Sequence, residues 1–92
     1  MPQLFRFGEY VIYFWSNEND PLEPIHVHIS KGKPIANGSK IWITKTGRAL
    51  KANNNAKIPE HILNSFVKMI EVNSEEIIQK WKEQFGEISY YC

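Results

Sequence analysis

Apolar and polar positions alternate at the start of the chain. Leu4, Phe5 and Phe7 flank Arg6, Gly8-Glu9 reads as a tight turn, and Tyr10 to Trp15 is a run of β-branched and aromatic residues. A period of two in such residues predicts strands on either side of the turn. Ser16 to Pro24 holds Asn17, Asn19, Asp20 and two prolines, a composition that predicts a loop rather than a regular element. Loops of that length in a small domain are often functional. Ile25 to Ser30 is the next predicted strand, ended by Lys31-Gly32-Lys33-Pro34. Lys40 to Thr44 alternates again, with Ile41 and Ile43 on one face and Lys40, Trp42 and Thr44 on the other. Thr46-Gly47 is a turn, and Arg48 to Ala52 is the returning strand of a hairpin. Asn53-Asn54-Asn55 is a polar connector.

The period then changes. Ile62, Leu63, Phe66, Val67 and Ile70 recur at the spacing of one helical stripe, and Pro59 suits a first helical position, where its missing N–H costs nothing. Asn73 is the predicted N-cap of a second helix, with Glu76 three residues on completing a capping box. Ile77, Ile78, Trp81 and Phe85 form its stripe and Gly86 its stop. One helix bent near Asn73 is the alternative. Strands first and helices after predict an α+β fold, an antiparallel sheet of about four or five strands followed by two C-terminal helices packed on one face. In a single domain over residues 1–92 the strands occupy 1–52, the helices 58–86 and a tail without periodicity 87–92. The other face of the sheet is then expected to meet solvent or a partner.

Composition adds bounds. Ninety-two residues, 42% hydrophobic and 23% charged, make one ordinary globular domain. No apolar run approaches the roughly 20 residues of a membrane span, and no signal-peptide pattern opens the chain. The single cysteine, Cys92, excludes an internal disulfide and suits a reducing cytoplasm, the expected location. The net charge of +1 hides an asymmetry. Residues 1–58 carry eight basic against four acidic side chains, and residues 59–92 three lysines against six glutamates. Between Glu23 and Glu60 there are seven basic residues and no acidic one. Such a stretch is either a solvated face or a basic surface for nucleic acid or an acidic partner.

The candidate chemistry lies in His26-Val27-His28. Period two puts both imidazoles on one face of a strand, with Ile25, Val27 and Ile29 on the other. If the strands pair in matching register, the histidines stand outward beside Lys40 and Trp42. Such a pair can act as acid and base, because imidazole titrates near working pH. RNA cleavage needs a group to take the 2′-OH proton, one to protonate the leaving oxygen and cations for the phosphate, and histidines among lysines supply these. The pair can also begin a metal site, with a third ligand from Glu18, Asp20, Glu23 or His61, although no familiar ligand spacing is present. The remaining alternative is a structural pair hydrogen-bonded to the preceding loop. His61 reads as an exposed helix residue and Trp81 as core. Trp42 either stacks on a partner or lies under the N-terminal strand or the C-terminal tail. No Gly-rich phosphate loop, dinucleotide fingerprint or nucleophile elbow is present, so no cofactor is expected.

Several strings carry a family likeness. Phe5-Arg6-Phe7-Gly8-Glu9-Tyr10, Tyr13-Phe14-Trp15-Ser16-Asn17-Glu18, and above all Pro24-Ile25-His26-Val27-His28-Ile29 resemble domain-of-unknown-function family 4160, a group of small bacterial proteins. Ile58-Pro59 opening a helix and the segment from Glu75 to Trp81 are similar to it too. The loop Ser16 to Pro24 is longer than in many members. The resemblance implies a two-gene module of toxin–antitoxin style, in which members are encoded beside another small protein, and assigns no activity. The expectation is therefore a component that binds a cognate small protein, and RNA or DNA as a further ligand, through a basic sheet face carrying Lys31, Lys33, Lys40, Trp42 and Arg48. A second copy of the chain is a further candidate partner. The enzymatic alternative is a metal-independent ribonuclease with His26 and His28 as catalytic residues, and the third is a metal-binding module on the same pair.

Overall fold

The computed structural model describes residues 3–15 and 23–92. Five strands, β1 (Gln3–Phe7), β2 (Tyr10–Tyr13), β3 (His26–Lys31), β4 (Ser39–Ile43) and β5 (Ala49–Lys51), form one antiparallel sheet in sequence order. The helices α1 (Glu60–Val72) and α2 (Ser74–Phe85) follow. This is the expected α+β arrangement, with each strand within one or two residues of its predicted place.

One face of the sheet forms the core with the helices. Ile12, Val27, Ile29, Ile41 and Ile43 are fully buried there, against Leu63, Phe66 and Ile70 of α1 and Ile77 of α2. The cross-strand pairs Ile12–Ile29, Val27–Ile41 and Ile43–Ala49 fix the register, because a slip of one residue would turn this apolar set to the opposite face. Gly86 ends α2 in the left-handed conformation at φ 76°, and its N–H bonds to the Lys82 carbonyl.

Two helix-end expectations are corrected. Pro59 is not the first helical residue. Its ψ of 138° leaves it extended, as the N-cap of α1, and its carbonyl accepts from the N–H of Ile62 and Leu63. Asn73 does precede α2, but no side chain caps that helix. The Asn73 residue also ends α1, and both its N–H and its Nδ2 donate back to the Met69 carbonyl, at 3.1 and 2.8 Å. The open carbonyls of α1 thus take the donors of the side chain expected to cap α2.

The second face of the sheet is not left to solvent. The β3–β4 connection folds back across one end of it. Tyr13 Oη donates to the Ile35 carbonyl at 2.7 Å and accepts from the Ile35 N–H at 3.1 Å. Ser30 Oγ donates to the Lys33 carbonyl and Arg6 Nη2 to the Gly32 carbonyl. Val11, Tyr13 and Ser30 are fully buried as a result. The tail covers the other end. Its Ser89 and Cys92 main-chain oxygens accept from the N–H of Ile25 and Lys45, and Tyr91 lies flat on Trp42.

Candidate functional site: an aromatic and imidazole row on the second sheet face

The register supplies the site. His26 pairs with Trp42 and His28 with Lys40, while Tyr13 stands opposite His28 on the other side. All five side chains therefore share the face that turns away from the helices. Tyr13 meets Trp15 edge-on at 5.4 Å and stacks on His28 at 5.5 Å. His28 meets His26 at 4.9 Å, His26 meets Trp42 at 5.7 Å, and Trp42 stacks on Tyr91 at 4.8 Å with the ring planes 4° apart. The result is a continuous row of rings from Trp15 to Tyr91. The Lys40 ammonium sits 4.2 Å from the Trp42 ring centroid, an attractive cation–π geometry.

His26 is the most constrained member. It is fully buried, where α2 closes the end of the sheet and Trp81 approaches it at 5.5 Å. Its Nδ1 lies 2.9 Å from the Pro24 carbonyl, which can only accept, so Nδ1 carries the proton. Nε2 then faces the Glu23 carboxylate, 4.0 Å from Oε2. The other Glu23 oxygen accepts from Lys40 Nζ at 3.1 Å. A carboxylate thus stands between an imidazole of set tautomer and an ammonium. Such a group can position a base, hold an imidazolium once formed, or present polar groups to a ligand.

Glu23 is one of the loop acids expected near the pair, and the structure places it there. Glu18 and Asp20 lie outside the described residues. His61 is exposed on α1, on the opposite side of the sheet from His28. Among the described residues no group of three or more His, Cys, Asp or Glu side chains is arranged to hold a metal ion. The histidines keep one face, as expected, but His26 is enclosed by Trp81 and Trp42 rather than standing outward.

The expected basic surface divides into separate places. Lys40 and Trp42 belong to the row. Lys31 lies at the far end of β3, exposed and 3.7 Å from Glu9, and Lys33 is exposed in the β3–β4 connection. Arg48 lies in the β4–β5 turn and bonds through Nε to Glu71 of α1 at 3.1 Å. Glu71 also accepts from the Ala49 N–H at 3.0 Å. That backbone hydrogen bond, together with the Arg48 guanidinium, holds its carboxyl below the ordinary glutamate range. Three cations of the acid-free stretch thus meet carboxylates supplied from outside it.

Tyr13 and Tyr91 complete the row, and no pattern in the chain marks either as a site residue. Tyr13 reads as an ordinary strand aromatic, and Tyr91 sits in a tail without periodicity.

With this geometry in view, comparison with known proteins has a clear outcome. The family described as Domain of unknown function (DUF4160) matches residues 9–82. The chain belongs to that family. No curated protein and no solved structure matches it. In this DUF4160 protein the match spans all five members of the face from Tyr13 to Trp42 together with Trp81, and stops short of Tyr91. Among the described residues no helix is long and apolar enough to cross a membrane.

Proposed function

We propose that this DUF4160 chain is the binding component of a two-gene module of toxin–antitoxin type, and that it recognises its cognate small protein with the ring-lined second face of the sheet. The observation that carries this reading is the row itself. Six aromatic or imidazole rings line the face opposite the main helix-packed core, met by a helix only where Trp81 reaches His26, with one ammonium held among them. Aromatic side chains that are partly covered and rigidly packed are the usual anchors of protein interfaces. The pairing of Lys31 and Lys40 with carboxylates argues for a protein partner over a nucleic acid, because an ion-paired ammonium has less to gain from a phosphate. The test is co-expression with the product of the adjacent gene. A complex is expected, and Trp42→Ala should weaken it by at least about tenfold, as for a central aromatic anchor. Absence of a complex between two folded proteins would refute the reading.

A second reading, a metal-independent ribonuclease, is favoured by one observation: the Pro24 carbonyl fixes the His26 tautomer with Nε2 toward Glu23 and Lys40. In that reading the imidazoles move protons and Lys40 meets the phosphate. His28→Gln and Lys40→Gln would each abolish RNA cleavage while leaving the melting temperature nearly unchanged. Purified wild-type protein that leaves RNA intact would remove this reading.

A further inference from the structure

A depression of about 420 Å³ lies where the β4–β5 turn meets the end of α1. Leu50 and Ala49 form its apolar wall with the methyl-bearing side chains of Thr44 and Thr46. Leu50 pairs with Trp42 across the β4–β5 ladder and is 41% exposed. The volume is ample for one bulky apolar side chain.

The rim is cationic and partly preorganised. Lys45 and Arg48 both line the depression, Glu71 is its one acidic side chain, and the Cys92 main-chain oxygen lies there on the Lys45 N–H. Glu71 is already committed, since its Oε2 accepts from both the Ala49 N–H and Arg48 Nε. This anchoring uses only the Nε edge of the guanidinium. The two Nη groups have no hydrogen-bond partner among the described residues, and the Arg48 side chain is 73% exposed. A guanidinium held at one edge and open at the other is set to accept a carboxylate in fork geometry without first losing side-chain freedom.

We infer that this depression is a docking site for an acidic peptide segment. One apolar side chain of that segment fills the space over Ala49 and Leu50, and a neighbouring carboxylate pairs with the Arg48 Nη groups, with Lys45 adding charge. The inference deepens the partner-binding reading above, on which it rests, by assigning the partner a contact segment of glutamate or aspartate interleaved with leucine or an aromatic residue. Glu71 is a positioning residue that acts through Arg48.

The probe is a capped hexapeptide alternating glutamate and leucine, titrated into the full chain and followed by backbone amide shifts. A matched peptide with lysine in place of glutamate is the control. The expected result is saturable shifts at Thr44 to Leu50, Glu71 and Cys92 with the acidic peptide alone. Arg48→Gln should weaken that binding at least about tenfold, as for loss of a charge-assisted hydrogen bond. Glu71→Gln should weaken it less, and Leu50→Asp should abolish it. Arg48→Gln and Leu50→Asp are exposed changes, and an unchanged amide spectrum elsewhere confirms the fold. Equal binding of the lysine peptide, shifts confined to the His28–Trp42 face, or absence of saturable binding would each overturn the inference. So would a dimer in sedimentation that Leu50→Asp dissociates, which would give the depression to a second copy. These outcomes are separable from failure of the partner reading, since complex formation with the adjacent gene product is measured without the peptide and Arg48→Gln leaves Trp42 unchanged.

Discussion

Trp81→Ala is the most telling perturbation of this fold, because one side chain joins α2, the end of the sheet and the imidazole row. Trp81 is fully buried and touches Phe14 at 5.1 Å, Phe85 at 4.5 Å and His26 at 5.5 Å. An aromatic side chain of this size removes about 150–250 Å² from water. At about 25 cal/mol per Å² that is about 4–6 kcal/mol. Measured Trp→Ala costs of about 3–5 kcal/mol agree. A domain of this length has about 5–10 kcal/mol of stability in all, so the variant should retain only a small margin. In urea titration followed by circular dichroism, an m-value of about 1.5 kcal/mol per molar turns a loss of 4 kcal/mol into a midpoint shift of about 2.7 M. Trp81→Phe supplies the contrast. The indole Nε1 makes no hydrogen bond with the described residues, so this change removes packing and no polar contact, and should cost about 1–2 kcal/mol. A midpoint shift under about 0.5 M for Trp81→Ala would refute the placement of α2 against the sheet end. Equal losses for alanine and phenylalanine would refute the claim that packing alone is at stake.

Three further outcomes are expected. Glu71 has a folded-state pKa below its ordinary value of 4.5, so its contribution is complete above that value and is lost as pH falls through the lowered folded-state value; Glu71→Gln should cost about 1–2 kcal/mol at pH 7 and progressively less as the pH is lowered through the acid range, read from melts over that range. Gly38→Ala would place its Cβ against Tyr13 Oη and 3.2 Å from the Ile29 carbonyl, and should cost about 1–3 kcal/mol by overpacking; adding Tyr13→Phe removes the nearer clash, so the double variant should be more stable than the sum of the single losses predicts, and strict additivity would count against this contact. Tyr91→Ala should uncover one face of Trp42 and red-shift the tryptophan emission while lowering stability by about 0.5–1.5 kcal/mol, and an unchanged spectrum would show that the stack does not persist in solution.

The order and type of the elements were legible in the chain, because each is a local, periodic property. Alternation at Ile41 and Ile43, helical spacing from Ile62 to Ile70 and the stop at Gly86 each follow from one element burying one side. The same period put His26 and His28 on one face, and the pairing that set them beside Trp42 and Lys40 followed from matching apolar positions across two strands. Tertiary structure alone decided what covers that face. Tyr91 reaches Trp42 from 49 positions away and Glu71 reaches Arg48 from 23, and neither contact leaves a periodic trace near either partner. The burial of His26 likewise depends on Trp81, whose helical stripe marks it as core without saying which end of the sheet it closes. The Asn73 cap failed for a related reason. A capping motif read in isolation assumes that the amide has no other carbonyl to serve, and the end of α1 supplied one. Local sequence fixes which surfaces must be buried, and only the folded chain selects the distant groups that bury them, because that choice depends on contacts between segments with no sequence relation to one another.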